Sequence, residues 1–199
     1  MEEVETQVRS SLEAGDPRTA MTIAISAYGP ELLGFLKALH RRPIDAQEVF
    51  GEACMDMWRG IGGFDGRSTF RAWAYAITRN AHHRYLGRYL RRARQHTGSS
   101  ALAALPARVR TETAPWRKTE NKDRLERLRQ TLEPDEQMLL VLRLDRGMSW
   151  SEIGEVLGGG AAEPALQSRR AATARKRFER LRARLKQLAL QEGLISSRD

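Results

Sequence analysis

Residues 45–61 read DAQEVFGEACMDMWRGI. Ala46, Val49, Phe50, Ala53, Met57, Trp58 and Ile61 recur at steps of 3, 1, 3, 4, 1 and 3, the apolar stripe of a core-facing α-helix. The same period continues on either side. Residues 18–40 predict a helical stretch, bent at Gly29 and Pro30 and ending before Pro43. Gly60, Gly62, Gly63 and Gly66 loosen the chain around Phe64 and Asp65, so a loop precedes the next helix. That helix starts near Ser68 and turns Phe70, Trp73, Ala74, Ile77 and Ala81 inward, with Arg71, Tyr75, Arg79, His82 and His83 on the opposite face. Strand-type alternation of β-branched residues is missing, so the chain is expected to be all-α.

Residues 95–119, QHTGSSALAALPARVRTETAPWRKT, break the period with Gly, Ser, Thr and two prolines and predict a flexible linker. Residues 101–105 can form one short helical turn within it, and Trp116 is expected to dock on a domain. The expected organisation is an N-terminal tail at 1–17, a helical domain at 18–94, the linker, a second helical domain at 120–192 and a C-terminal tail at 193–199. The second domain opens with Leu125 and Leu128. Pro134 suits the first position of a helix that runs to Gly147. Ser149 and Glu152 form a capping box for a short helix to about Leu157, and three glycines at 158–160 then force a turn. Pro164 begins a last long helix, whose Ala171, Ala174, Phe178, Leu181, Leu185 and Leu188 step by 3, 4, 3, 4 and 3. Helix, short capped helix, turn and basic helix make a helix-turn-helix pattern.

The 199 residues carry 34 basic and 25 acidic side chains, a net charge of +9, and 29 of the basic residues are Arg. Such a balance fits a polyanionic partner, although Arg-rich codon usage produces the same excess. Placement separates the two. Residues 165–186 hold nine basic residues and one acid, Glu179, and Arg169, Arg175, Lys176 and Arg180 point away from the apolar row. One face is core and the other cationic, which suits phosphates and the major groove, with Gln167 near the start able to reach base edges. A calmodulin-type or membrane-surface helix is the competing use of such a segment. Residues 79–94, RNAHHRYLGRYLRRAR, hold six arginines with interleaved aromatics and no acid, a pattern suited to unstacked strands. The alternative is a helix end whose basic residues complement its dipole. By contrast Asp45, Glu48, Glu52 and Asp56, at steps of 3, 4 and 4, share an acidic face that repels DNA and suits a basic protein partner, or merely solubilises the helix.

Catalytic constellations are missing. The glycines at 158–160 lack the Lys-Ser/Thr of a phosphate loop, and His82-His83 has no carboxylate orienter. One cysteine, Cys54, cannot form an intrachain disulfide and is expected to pack in the core. With only His40, His82, His83 and His96 beside it, no metal spacing arises, so neither cofactor nor metal is expected. The start, MEEVETQVRS, has no export-signal character, and the longest apolar run, 138–142, is too short to span a membrane. A cytoplasmic, non-enzymatic protein is the expectation.

The string at 45–88, DAQEVFGEACMDMWRGIGGFDGRSTFRAWAYAITRNAHHRYLGR, resembles the second region of extracytoplasmic-function (ECF) RNA polymerase sigma factors of bacteria. LEPDEQMLLVLR at 132–143, followed by MSWSEIGEVLG at 148–158, resembles their fourth region. The resemblance covers about two thirds of the chain and implies promoter recognition and DNA melting, with RNA polymerase core bound through its clamp and flap regions. It implies that Asp45, Glu48, Val49 and Glu52, with Asp56 of the same row, grip the polymerase. It places Phe64, Asp65, Arg67, Ser68, Thr69 and Phe70 in a loop that captures a flipped base of the −10 element, and Arg79, Asn80, His83 and Arg84 on the same single strand. Gln167, Ser168, Arg169, Arg170, Arg175 and Lys176 would meet the −35 duplex. A cognate anti-sigma factor is implied by analogy. The sequence departs from the family in the longer turn at 158–163 and in Pro164-Ala165-Leu166 at the start of the last helix. Read without the resemblance, the chain also fits a stand-alone helix-turn-helix regulator on duplex operator DNA, or a polymerase-binding scaffold.

Overall fold

The computed structural model describes residues 2–40, 42–96 and 132–191, with 93–96 by backbone alone. Among them lie seven α-helices and no strand: α1 (Glu2–Glu13), α2 (Pro17–Leu39), α3 (Pro43–Gly60), α4 (Phe70–His96), α5 (Pro134–Leu140), α6 (Trp150–Gly158) and α7 (Pro164–Gln191). The all-α expectation holds. The linker from 97 onward, Trp116, Leu125, Leu128 and the tail at 193–199 lie outside the described residues.

Helix starts follow local chemistry. Pro17, Pro43, Pro134 and Pro164 each open a helix, where a missing N–H costs nothing. Asp16 accepts from the Thr19 amide at 3.0 Å. The Ser149/Glu152 capping box forms as expected: Ser149 Oγ accepts from the Glu152 amide at 3.2 Å, and Glu152 Oε2 accepts from the Ser149 amide at 2.8 Å. Gly159 then ends α6 with φ of +84°, a left-handed conformation that glycine adopts without strain. The helix from Pro134 finishes in a π-helical turn, Val141–Asp145, before Gly147.

Three features differ from these expectations or add to them. The segment taken as an N-terminal tail is helix α1. Val4, Val8 and Leu12, spaced four apart, turn toward the core, and Val8 is fully buried. From α1, the Glu5 carboxylate accepts from the Phe70 and Arg71 amides at 2.7 and 3.0 Å and from the Tyr28 hydroxyl at 2.6 Å. It thus satisfies two of the orphan donors at the start of α4. Second, α2 runs as one helix through Gly29 and Pro30. Third, the face of α4 expected to be polar, from Arg71 to His83, is largely covered. Tyr75 and His82 are buried, and Arg71 is held by the Glu31 carboxylate and donates to the Arg146 carbonyl at 3.0 Å. The cover comes from α2 and from the second helical group, whose α6 packs on α4. One contiguous cluster accordingly joins Leu32, Phe35, Met57, Phe70 and Tyr75 to Met138, Leu142, Met148, Ile153 and Val156.

Candidate nucleic-acid interface

Helix α3 presents a mixed outer face. Val49 is fully buried, so it supports the helix from within and makes no direct contact with a partner. Glu48 is exposed, whereas Asp45, Glu52 and Asp56 are half-buried. Asp45 lies 3.6 Å from Arg42, Glu52 pairs with Arg88, and Asp56 pairs with Arg84. Arginines from the basic end of α4 therefore lean onto the carboxylate row, and the two charged patches expected to stand apart are partly joined. Trp58, placed in the core-facing stripe by its spacing, is 51% exposed, and Ile44 and Met55 are each 55% exposed. Of the adjacent Met57 and Trp58, Met57 is the buried one. Ile44, Glu48, Gly51, Met55 and Trp58 step by 4, 3, 4 and 3, a second helical row that the sequence contained and the first stripe obscured.

The loop before α4 is built on aromatic contacts. Phe64 lies 5.4 Å between centroids from both Phe70 and Trp73, and Phe70 lies 4.9 Å from Trp73. Phe70 is only 1% exposed and anchors the loop from below, out of reach of a base. Asp65 accepts from the Arg67 amide at 3.1 Å and pairs with its guanidinium. Thr69 Oγ1 accepts from the Ala72 amide at 3.1 Å, capping α4. Phe64, Trp73, Ile77 and Asn80 line a cavity of about 240 Å³, whose far wall is Gly159, Gly160 and Ala161 of the second group. Deeper along α4, Arg79 and His83 approach Asp135 Oδ1 at 3.5 and 3.3 Å.

On α7, Ser168, Arg169, Arg175 and Lys176 are exposed, with Arg175 3.2 Å from Glu179. Gln167 and Arg170 are occupied differently. Gln167 donates to the Ser151 carbonyl at 2.7 Å, and Arg170 lies over Gly158 and donates to the Gly160 carbonyl at 2.9 Å. Gln167 ties α7 to the start of α6 and Arg170 holds the turn between them, so both are engaged within the fold. The basic face otherwise stays at the surface.

Burial sets the protonation of several groups. His82 Nδ1 and His40 Nε2 are 2.9 Å apart. Burial pushes His40 down to about 4 and, with its neighbour's repulsion, His82 down to about 3. Both are neutral in the fold, while the unfolded chain protonates them near 6.5. Between these values the unfolded state binds more protons, so stability is full above the unfolded value and falls as pH drops toward the folded ones. Burial raises the Glu155 carboxyl, which offsets part of this with the opposite sign. Urea unfolding at pH 6 is expected to show about 1 kcal/mol less stability than at pH 7.5. An equal midpoint and slope at both values would contradict the neutral pair. Cys54 is half-buried against the core, and burial raises its thiol. Among the described residues no His, Cys, Asp and Glu group could hold a metal ion, and no helix is long and apolar enough to cross a membrane.

A short capped helix followed by a long helix with a cationic outer face lies beside a helical domain with an aromatic loop, an arrangement whose charge and shape are suited to nucleic acid. Residues 24–94 match the family model described as Sigma-70 region 2. That match falls on helices α2 to α4, and the resemblance to sigma factors read from the sequence stands. The RNA polymerase sigma-H factor of Pseudomonas aeruginosa is 30% identical over 79 residues, a match spanning 40% of this chain and 40% of that relative. Two solved structures share the fold at 21% identity. The sigma factor RpoE of Bartonella quintana, in complex with the anti-sigma factor NepR, has a TM-score of 0.60 over 82% of this chain and 92% of its own. CnrH, in complex with the cytosolic domain of CnrY, has a TM-score of 0.61 over 96% and 98%.

Proposed function

We propose that the chain is an ECF-type RNA polymerase sigma factor, a dissociable subunit that brings core polymerase to promoters and helps open them. The observation that carries this reading is the region 2 match on α2 to α4, aromatic loop included, in one chain with a helix-turn-helix that exposes its cations. Glu48 with Ile44, Met55 and Trp58 forms the face for polymerase, and Asp45, Glu52 and Asp56 add charge at its edge. Phe64, Asp65, Arg67, Ser68 and Thr69 serve the melted −10 strand, with Arg79, Asn80, His83 and Arg84 alongside. Ser168, Arg169, Arg175 and Lys176 serve the −35 duplex. The protein has no catalytic task of its own and works in the cytoplasm, where polymerase is. That the sigma factor RpoE, which shares this fold, is seen in complex with the anti-sigma factor NepR supports such a partner here.

Run-off transcription from a promoter library with reconstituted core tests the assignment. Promoter-dependent transcripts that require the added chain are expected. Tight binding to symmetric half-sites without core, and no transcript, would mark a stand-alone regulator instead. Trp58→Ala is expected to weaken core binding about tenfold, because an exposed aromatic in a partner's pocket contributes strongly to affinity. Its thermal midpoint should stay within a degree or two, since half the ring is already in water. Unchanged affinity would move the polymerase face elsewhere.

A further inference from the structure

Five methionines fall among the described residues, and four of them are inside. Met57, Met138 and Met148 are fully buried, and Met21 is 7% exposed. Met55, at 55%, is the exception. It stands on the outer row of α3, three residues before Trp58 and four after Gly51. A long helical side chain lies back over the turn that precedes it, so the Met55 thioether extends toward position 51. Gly51 has no side chain to shield it there, and even a Cβ at Gly51 would meet nothing within 4 Å. The sulfur is thus open to small solutes. The neighbouring sulfur differs. Cys54 is half-buried against the core, and burial raises its thiol, so the reactive thiolate is scarce. A thioether needs no ionisation to react.

We propose that Met55 is a site of reversible oxidation by hydrogen peroxide, and that its sulfoxide weakens the hold of the α3 face on polymerase core. The consequence for polymerase rests on the proposed function; the selective oxidation does not. In the step itself the Met55 sulfur attacks one peroxide oxygen, and an S–O bond forms as the O–O bond breaks. Sulfur is oxidised by two electrons. The departing hydroxide takes the proton of the transferred hydroxyl and leaves as water, so peroxide is the oxidant consumed. The product carries a strong acceptor oxygen in the middle of the row formed by Ile44, Met55 and Trp58. Burying that oxygen against an apolar partner surface without a donor costs binding free energy. In the free chain it points into water, so the fold tolerates it. Methionine sulfoxide reductases return the thioether, which makes the change a switch and not only damage.

The test uses the full chain with Cys54→Ala throughout, so that thiol oxidation cannot contribute. After treatment with hydrogen peroxide, mass spectrometry of the digested chain follows the gain of one oxygen at each methionine. Oxidation at Met55 is expected about tenfold faster than at Met21, Met57, Met138 or Met148. Affinity for immobilised core polymerase is then measured for this chain and for Met55→Leu, each compared with its own untreated form. Treatment should weaken binding about tenfold in the chain that keeps Met55 and leave the Met55→Leu ratio near one. Sulfoxide reductases of both stereospecificities should restore the first, and the helical circular dichroism should not change on treatment.

Equal oxidation rates at Met55 and the buried four, loss of helical signal on treatment, an equal fall in affinity in Met55→Leu, or full affinity with Met55 oxidised would each overturn the proposal. Failure of every untreated chain to bind core would instead remove the sigma-factor assignment and the polymerase consequence with it, while the oxidation rates still decide the site.

Discussion

Replacing Phe70 by alanine is expected to lower stability by about 3–5 kcal/mol, the usual range for truncating a fully buried aromatic. The ring is 1% exposed and packs edge-on or tilted against Phe64 and Trp73. Its removal opens a void under both, and neither can settle freely. Trp73 is fixed to α4, and Phe64 closes the 3₁₀ turn Ile61–Gly63 through its amide N–H, which donates to the Ile61 carbonyl at 3.1 Å. Phe70→Leu keeps most of the volume and should cost under about 1.5 kcal/mol. Urea denaturation of both variants measures the difference. A loss below about 1 kcal/mol for the alanine variant would mean that the loop collapses onto the void, and that its aromatic geometry is not fixed from below.

Gly154→Ala is expected to cost about 3 kcal/mol, at the upper end for inserting a methyl into a packed interior. A Cβ there would lie 2.7 Å from the Ala171 nitrogen, 2.8 Å from the Arg170 carbonyl carbon and 3.0 Å from the Ala171 Cα. All three are backbone atoms of α7, so no rotamer change relieves the contact and the two helices must separate. This outweighs the roughly 1 kcal/mol that alanine gains over glycine in a helix. The neighbouring case differs: at Gly158 the nearest atoms belong to the flexible side chain of Arg170. Thermal unfolding gives the magnitude. Duplex affinity should fall with it, because α6 sets the angle at which α7 presents its cations. Stability within about 0.5 kcal/mol of the parent would show that the α6–α7 contact is looser than the distances imply.

What could be read from the sequence was what adjacent residues decide. The Ser149/Glu152 cap, Pro134 and Pro164 at their helix starts and the glycine turn after α6 depend on a few neighbours, and they stand as expected. Trp58 was misplaced because period alone does not choose between neighbouring apolar positions; the partner helix does. Tyr75 and His82 were set on a polar face because their cover arrives from distant segments. The same reason hid Glu5, which caps a helix from another helix, and the engagement of Gln167 with α6 and of Arg170 with the turn. The charge rows were legible as rows. That α3 carboxylates and α4 arginines pair with one another depends on how two helices cross, which no spacing within either helix encodes.

The apolar cluster that runs from Leu32, Phe35 and Tyr75 to Met138, Leu142, Ile153 and Val156 has a thermodynamic consequence. Neither helical group can lose its interior without exposing part of the other's. Scanning calorimetry of the full chain should therefore record one endotherm whose van't Hoff and calorimetric enthalpies agree, in place of the two separate peaks that independent modules would give.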